Sequence, residues 1–140
     1  RIIFGERFSH ADHLERIKFG DLFLDTFPCT AHTTCSDALR VGLPVLTISG
    51  SSFVSRVATS LLNTMNLKEL ISKNFKEYEI IANKIVSDTD FLDKIKFKIK
   101  KNVLDSPLYN AEIFTKNLEI AYEKVFKNYI DNKDTRDFEI

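Results

Sequence analysis

The sequence predicts an α/β domain, a parallel sheet flanked by helices, followed by a helical carboxyl-terminal part. Three observations predict it. Leu22-Phe23-Leu24 and Val45-Leu46-Thr47-Ile48 are short runs with apolar residues on both faces, the pattern of strands in a parallel sheet covered by helices. All four glycines lie at or before Gly50. Charge is also uneven: residues 1–66 hold six basic and six acidic side chains, and the other fourteen of each follow in a stretch of helical spacing.

In chain order, RIIF at Arg1 to Phe4 reads as a strand. A helix is expected from about His10 to Phe19 with Ser9 as N-cap, where Ser9 and Asp12 resemble a capping box with Asp in place of Glu. Asp21 to Asp25 reads as the next strand. Then come a helix from Thr34 to Val41 closed by Gly42 as a left-handed cap, a strand from Pro44 to Ile48, and a helix from about Phe53 to Asn63. Beyond residue 66, Tyr78, Ile81, Ala82 and Ile85 form one apolar helical stripe, and Phe91, Leu92, Ile95 and Ile99 form another, each opposite a charged face. Pro107 interrupts the pattern. It resumes from Ala111 to Tyr129 with Phe114, Leu118, Ala121, Tyr122 and Val125. The expected organisation is an α/β part over 1–66, a helical part of the same lobe over 67–130, and a loose tail over 131–140 with four acids and two bases. No internal repeat is present, and the tetratricopeptide pattern is absent.

At 140 residues and 44% hydrophobic, the chain suffices for the core of one domain. Zero net charge removes the basic footprint of a nucleic-acid binder. No apolar run approaches the length that crosses a bilayer, so no membrane partner is expected. The chain begins with Arg1 directly in strand-like sequence, which implies a fragment, and no leader pattern opens it, which makes the cytoplasm the expected compartment. Cys29 and Cys35 are too few for a disulfide framework and fit a reducing compartment.

The order of elements over residues 21–50 places a loop at the carboxyl end of a strand, where open α/β sheets bind ligands. His32, Thr33 and Thr34 then stand at the mouth of a helix whose first turn has free N–H groups, a ready site for phosphate. Asp37, one turn later, is suited to accept hydrogen bonds from sugar hydroxyls. Phosphate plus hydroxyls points to a nucleotide. Each residue also has a plainer reading: Thr33 and Thr34 as helix caps, Asp37 as a first-turn acid favoured by the helix dipole, Arg16 as a solvated helix charge. His10, His13 and His32 have no Cys or carboxylate at ligand spacing to complete a zinc tetrahedron, so no metal site is expected.

The ordered set LFLDT, AHTT, SDAL, GLPVLT and SRVA, continuing through LKELI, KEYEIIA and SPLYNAEIFTKNLEIAYEKVF, carries a further reading. This set resembles the carboxyl-terminal part of the catalytic region of the protein O-GlcNAc transferase family, including SPINDLY-like and bacterial members built behind tetratricopeptide repeats. The resemblance covers nearly all of the chain to about residue 130. It implies the Rossmann-like carboxyl-terminal lobe of a GT-B glycosyltransferase, with residues 1–66 as its nucleotide-sugar-binding part. It also implies inverting, metal-independent transfer of GlcNAc from UDP-GlcNAc to Ser or Thr hydroxyls of a protein acceptor, with no cofactor.

By the same resemblance, His32, Thr33 and Thr34 grip the UDP diphosphate and Asp37 holds the ribose. His13 packs against the uracil, Arg16 lies near the uracil edge, and His10 stands where animal members carry a ribose-contacting Lys. No catalytic residue is expected within the chain. The Lys that grips the phosphate, the groups handling the acceptor proton and the acceptor lobe fall upstream of RIIF, so the chain is expected to be inactive alone. The sequence departs from the family at the rim. Pro28-Cys29-Thr30-Ala31 stands for a usual Pro-Tyr-Asn-Ala, Arg40 for a Trp, and Ser49-Gly50-Ser51 for a Pro-Gly-Glu. Two alternatives stay open at this stage: a GT-B enzyme acting on a lipid or small glycan, and a non-catalytic scaffold module.

Overall fold

Short-range signals set most of the helix ends. The structure, a computed structural model, describes residues 2–133 and Phe138. Helix α1, His10–Ile17, is capped by Ser9, whose hydroxyl accepts from the Asp12 N–H at 3.2 Å and donates to the Asp12 carboxylate at 2.6 Å. Strand β1, Phe23–Leu24, leads through a loop to α2, Thr33–Arg40. Gly42, at φ +89°, turns the chain after α2 into strand β2, Val45–Ile48. A glycine pays no Cβ penalty in that left-handed conformation.

A 3₁₀ turn over Phe53–Ser55 precedes α3, Val57–Thr64. The single helix expected over Phe53 to Asn63 is therefore broken at Arg56, where Ser52 and Ser55 form a side-chain capping box for the turn. Strand β3, Ile71–Ser72, was not anticipated, because two residues carry no periodicity. Helices α4, Phe75–Ser87, α5, Thr89–Asp105, and α6, Ala111–Ile130, follow.

The sheet has order β1-β2-β3 with both pairings parallel: Phe23 opposite Val45, Leu24 opposite Leu46, Thr47 opposite Ile71, Ile48 opposite Ser72. Central β2 is buried throughout, with α3 and α4 packed on it. The core gathers Leu39, Leu46, Leu62, Met65, Leu70, Ile85 and Ile99. Edge strand β1 differs from the expectation of full cover: Leu24 is 57% exposed. The expected RIIF strand does not form over Ile2 to Phe4, Arg1 lying outside the described residues. Ile2, Ile3 and Phe4 are exposed and lack ladder hydrogen bonds, since an extended segment becomes a strand only against a neighbour, and none among the described residues lies beside it.

The chain divides into two compact units, Arg1–Asp105 and Ser106–Ile140. In the first, the α4 and α5 stripes face inward, with Ile85, Ile95 and Ile99 buried. In the second, α6 begins at the Asn110 cap and buries no residue. The expected loose tail falls mostly outside the described residues, at 134–137, 139 and 140.

Candidate functional site

The site grows from the end of β1. Asp25 closes the strand, its N–H donating to Leu46 O at 3.0 Å, and the chain then loops over residues 26–32 before α2 begins. The Phe27–Pro28 peptide in this loop is cis. A hollow of about 500 Å³ opens there, with Leu24, Thr30, His32, Thr33 and Thr34 among its walls. His32, Thr33 and Thr34 are exposed. No side chain caps α2, whereas Ser9, Asn74 and Asn110 cap α1, α4 and α6. An α-helix leaves its first N–H groups without intrahelical partners, so the first turn of α2 retains donors at this mouth.

Two contacts order the remaining expected residues. His10 Nε2 lies 3.3 Å from Asp37 Oδ2, bringing α1 against α2, with Asp37 half-buried and His10 largely exposed. His13 Nδ1 lies 3.1 Å from an Arg16 guanidinium nitrogen. The same guanidinium donates to Glu6 O at 3.0 Å and stacks over the Phe8 ring at 4.6 Å. Arg16 is thus engaged with the amino-terminal segment, beyond the solvated charge its sequence position also allowed. The structure brings together His10 with Asp37, His13 with Arg16, and His32 with Thr33 and Thr34; the α1 residues do not line the hollow. His32 also meets the Phe53 ring edge-on at 6.2 Å between centroids.

Sequence reasoning missed the residues beneath the loop. Asp25 is 7% exposed, and Tyr78 on α4 donates its hydroxyl to Asp25 O at 2.9 Å. Thr30 is buried, and both its N–H and its hydroxyl donate to Val54 O, at 3.0 and 2.7 Å. The available signal was the acid that ends the apolar run LFLD, since a carboxylate closing a buried strand needs partners. Its charge is felt nearby. Burial first, and the Asp25 carboxylate second, push the Cys35 thiol up to about 12 and the Tyr78 hydroxyl up to about 12.

A second hollow, about 600 Å³, runs along α3 past Arg56 and Asn63 and holds none of the expected site residues. Among the described residues, no three His, Cys, Asp or Glu side chains gather as a metal site, and no helix is long and apolar enough to cross a membrane.

A parallel sheet with its loop-to-helix mouth at the carboxyl end of a strand defines a Rossmann-like lobe, here that of a GT-B glycosyltransferase. The family model of glycosyl transferase family 41 matches residues 1–118, and the chain belongs to that family. A protein of Petunia hybrida named as a probable UDP-N-acetylglucosamine–peptide N-acetylglucosaminyltransferase SPINDLY is 34% identical over 120 residues, covering 86% of this chain and 13% of its own length. The UDP-N-acetylglucosamine–peptide N-acetylglucosaminyltransferase of Caenorhabditis elegans is 33% identical over 129 residues, covering 92% of this chain and 11% of its own. Among solved structures, a mutant of the Thermobaculum terrenum O-GlcNAc transferase superposes with a TM-score of 0.80 at 29% identity, over 86% of this chain and 23% of that one. The chain thus spans a small fraction of the length of the relatives it matches.

Proposed function

We propose that this chain is the donor-binding part of a glycosyltransferase that moves GlcNAc from UDP-GlcNAc to Ser or Thr hydroxyls of proteins, in the cytoplasm and without a metal. The observation that carries the reading is the uncapped start of α2 at the carboxyl end of β1, with Asp37 one turn further on. Thr33, Thr34 and the first-turn N–H groups face the diphosphate, with His32 beside them. Asp37 accepts from the ribose, where hydroxyls compete with the His10 ring now 3.3 Å away. His13 packs on the uracil, with an Arg16 guanidinium nitrogen 3.1 Å from its Nδ1 and Arg16 near the uracil edge.

In the reaction an acceptor oxygen bonds to the anomeric carbon as the bond from that carbon to the diphosphate oxygen breaks. The acceptor proton passes to a general base. Negative charge develops on the departing diphosphate. Preorganised N–H and hydroxyl donors stabilise such charge without reorganising, which is what the α2 mouth supplies.

Calorimetry with UDP, with and without EDTA, tests the reading. Equal affinity in both arms is expected. Affinity lost on chelation overturns the metal-free part, and no binding in either arm shifts the chain to a scaffold role.

A further inference from the structure

We propose that Asp25 is the positioning residue of the phosphate-facing loop, holding it against the sheet so that the α2 mouth is formed before a nucleotide arrives. The inference rests on the donor-binding reading above and extends it to Asp25, whose carboxylate oxygens are engaged by the loop and by β2. Asp25 Oδ1 accepts from two loop N–H groups, those of Thr26 and Ala31, each at 2.8 Å. Its Oδ2 accepts from the Thr47 hydroxyl at 2.7 Å. Thr47 lies on central strand β2, is fully buried, and has its own carbonyl held by the Ser72 hydroxyl at 2.8 Å from β3. One carboxylate therefore ties the loop to central strand β2.

The placement matters because of where the two loop bonds fall. Thr26 is the first loop residue and Ala31 is the last before His32, so Oδ1 gathers both ends of the loop onto one atom. That fixes the direction in which the chain enters α2, and with it the aim of the Thr33 and Thr34 donors. Thr30 and Val54 clamp the outer side of the same loop. Bonds to an ionised carboxylate are shorter and stronger than those between neutral groups, which suits a single residue that organises a turn. The bonds also direct both oxygens into the fold, so the buried charge is compensated by N–H and O–H donors.

The test compares UDP with uridine, by NMR titration of the whole 140-residue chain, for wild type, Asp25→Ala and Asp25→Asn, at a temperature where melting curves show each to be folded. Uridine reads the base and ribose contacts; only UDP reads the mouth of α2. Asp25→Ala is expected to weaken UDP roughly tenfold or more while leaving uridine within about twofold. Asp25→Asn keeps a carbonyl acceptor for the two N–H groups but loses the charge, so UDP is expected to weaken about threefold with uridine unchanged. Loss of both ligands by the same factor, or no selective loss of UDP in either variant, overturns the positioning role while the donor reading stands. If Asp25→Ala fails to fold, Asp25→Asn decides by the same comparison. A wild type that binds neither ligand, or binds UDP no tighter than uridine, overturns the donor reading and this proposal with it.

Discussion

Asp37 and Cys35 share the first turns of α2 yet have opposite environments, and each gives a prediction. Asp37 is half-buried beside His10, and its removal would leave ribose hydroxyls without a charged acceptor. Asp37→Ala is expected to weaken UDP by about 1–3 kcal/mol in calorimetry, whereas Lys94→Ala, exposed on α5, leaves it unchanged. Cys35 is fully buried, and its thiol is pushed from 9.0 up to about 12 by burial and then by Asp25. In the unfolded chain the thiol loses its proton near 9, and in the folded chain near 12, so the folded state holds the proton more tightly in between. The stability linked to the neutral thiol is complete below the lower value and is lost as pH rises toward the upper one. Urea midpoints should therefore fall across that alkaline window, and Cys35→Ala should flatten the fall. The helix start at Thr33 and the place of Asp37 one turn on were legible because both are local to one helix. Asp25 was not, because its partners Thr47 and Tyr78 lie far along the chain and only the fold brings them to it.

At the scale of elements, Gly42 carries the connection from α2 to β2. A Cβ built there meets no atom within 4 Å, so φ +89° alone sets the effect of adding one. Gly42→Ala is expected to destabilise the chain by about 1–2 kcal/mol with no change in UDP affinity beyond the loss of folded protein, checked by denaturant melts alongside titration. This turn was readable from sequence, as was the Ser9 cap, because a cap is a contact within three or four residues. The α4 and α5 stripes were readable because they repeat over several turns. Strands were harder. RIIF has strand-like composition but no neighbour among the described residues, while Ile71–Ser72 has little composition to show and becomes a strand because β2 is beside it. A β-ladder is a property of two segments, and one-dimensional pattern reports only one of them.

For the whole molecule, the decisive quantity is how much of an active site one lobe contains. The matched stretches amount to 13% of the plant relative's length and 11% of the nematode relative's, and on the proposed reading the site residues named above address the donor. Apolar side chains on α6, among them Phe114, Tyr122, Phe126 and Tyr129, are 63–78% exposed, more than a solvated helix ordinarily carries. The final prediction is that the 140-residue chain transfers no sugar, even where it folds and binds UDP. Rate enhancement in group transfer requires the acceptor oxygen and the donor carbon to be held in one geometry, and positioning of that kind accounts for roughly 7–11 kcal/mol of barrier. On the proposed reading, α1 and α2 hold the donor and place one reactant only. A radiolabelled-sugar assay with UDP-GlcNAc and a protein lysate, run on this chain and on the Caenorhabditis elegans relative side by side, reads the outcome. Transfer by the relative alone is expected; transfer by this chain would mean that residues 1–140 hold an acceptor site and a base that the proposed donor-side geometry does not supply.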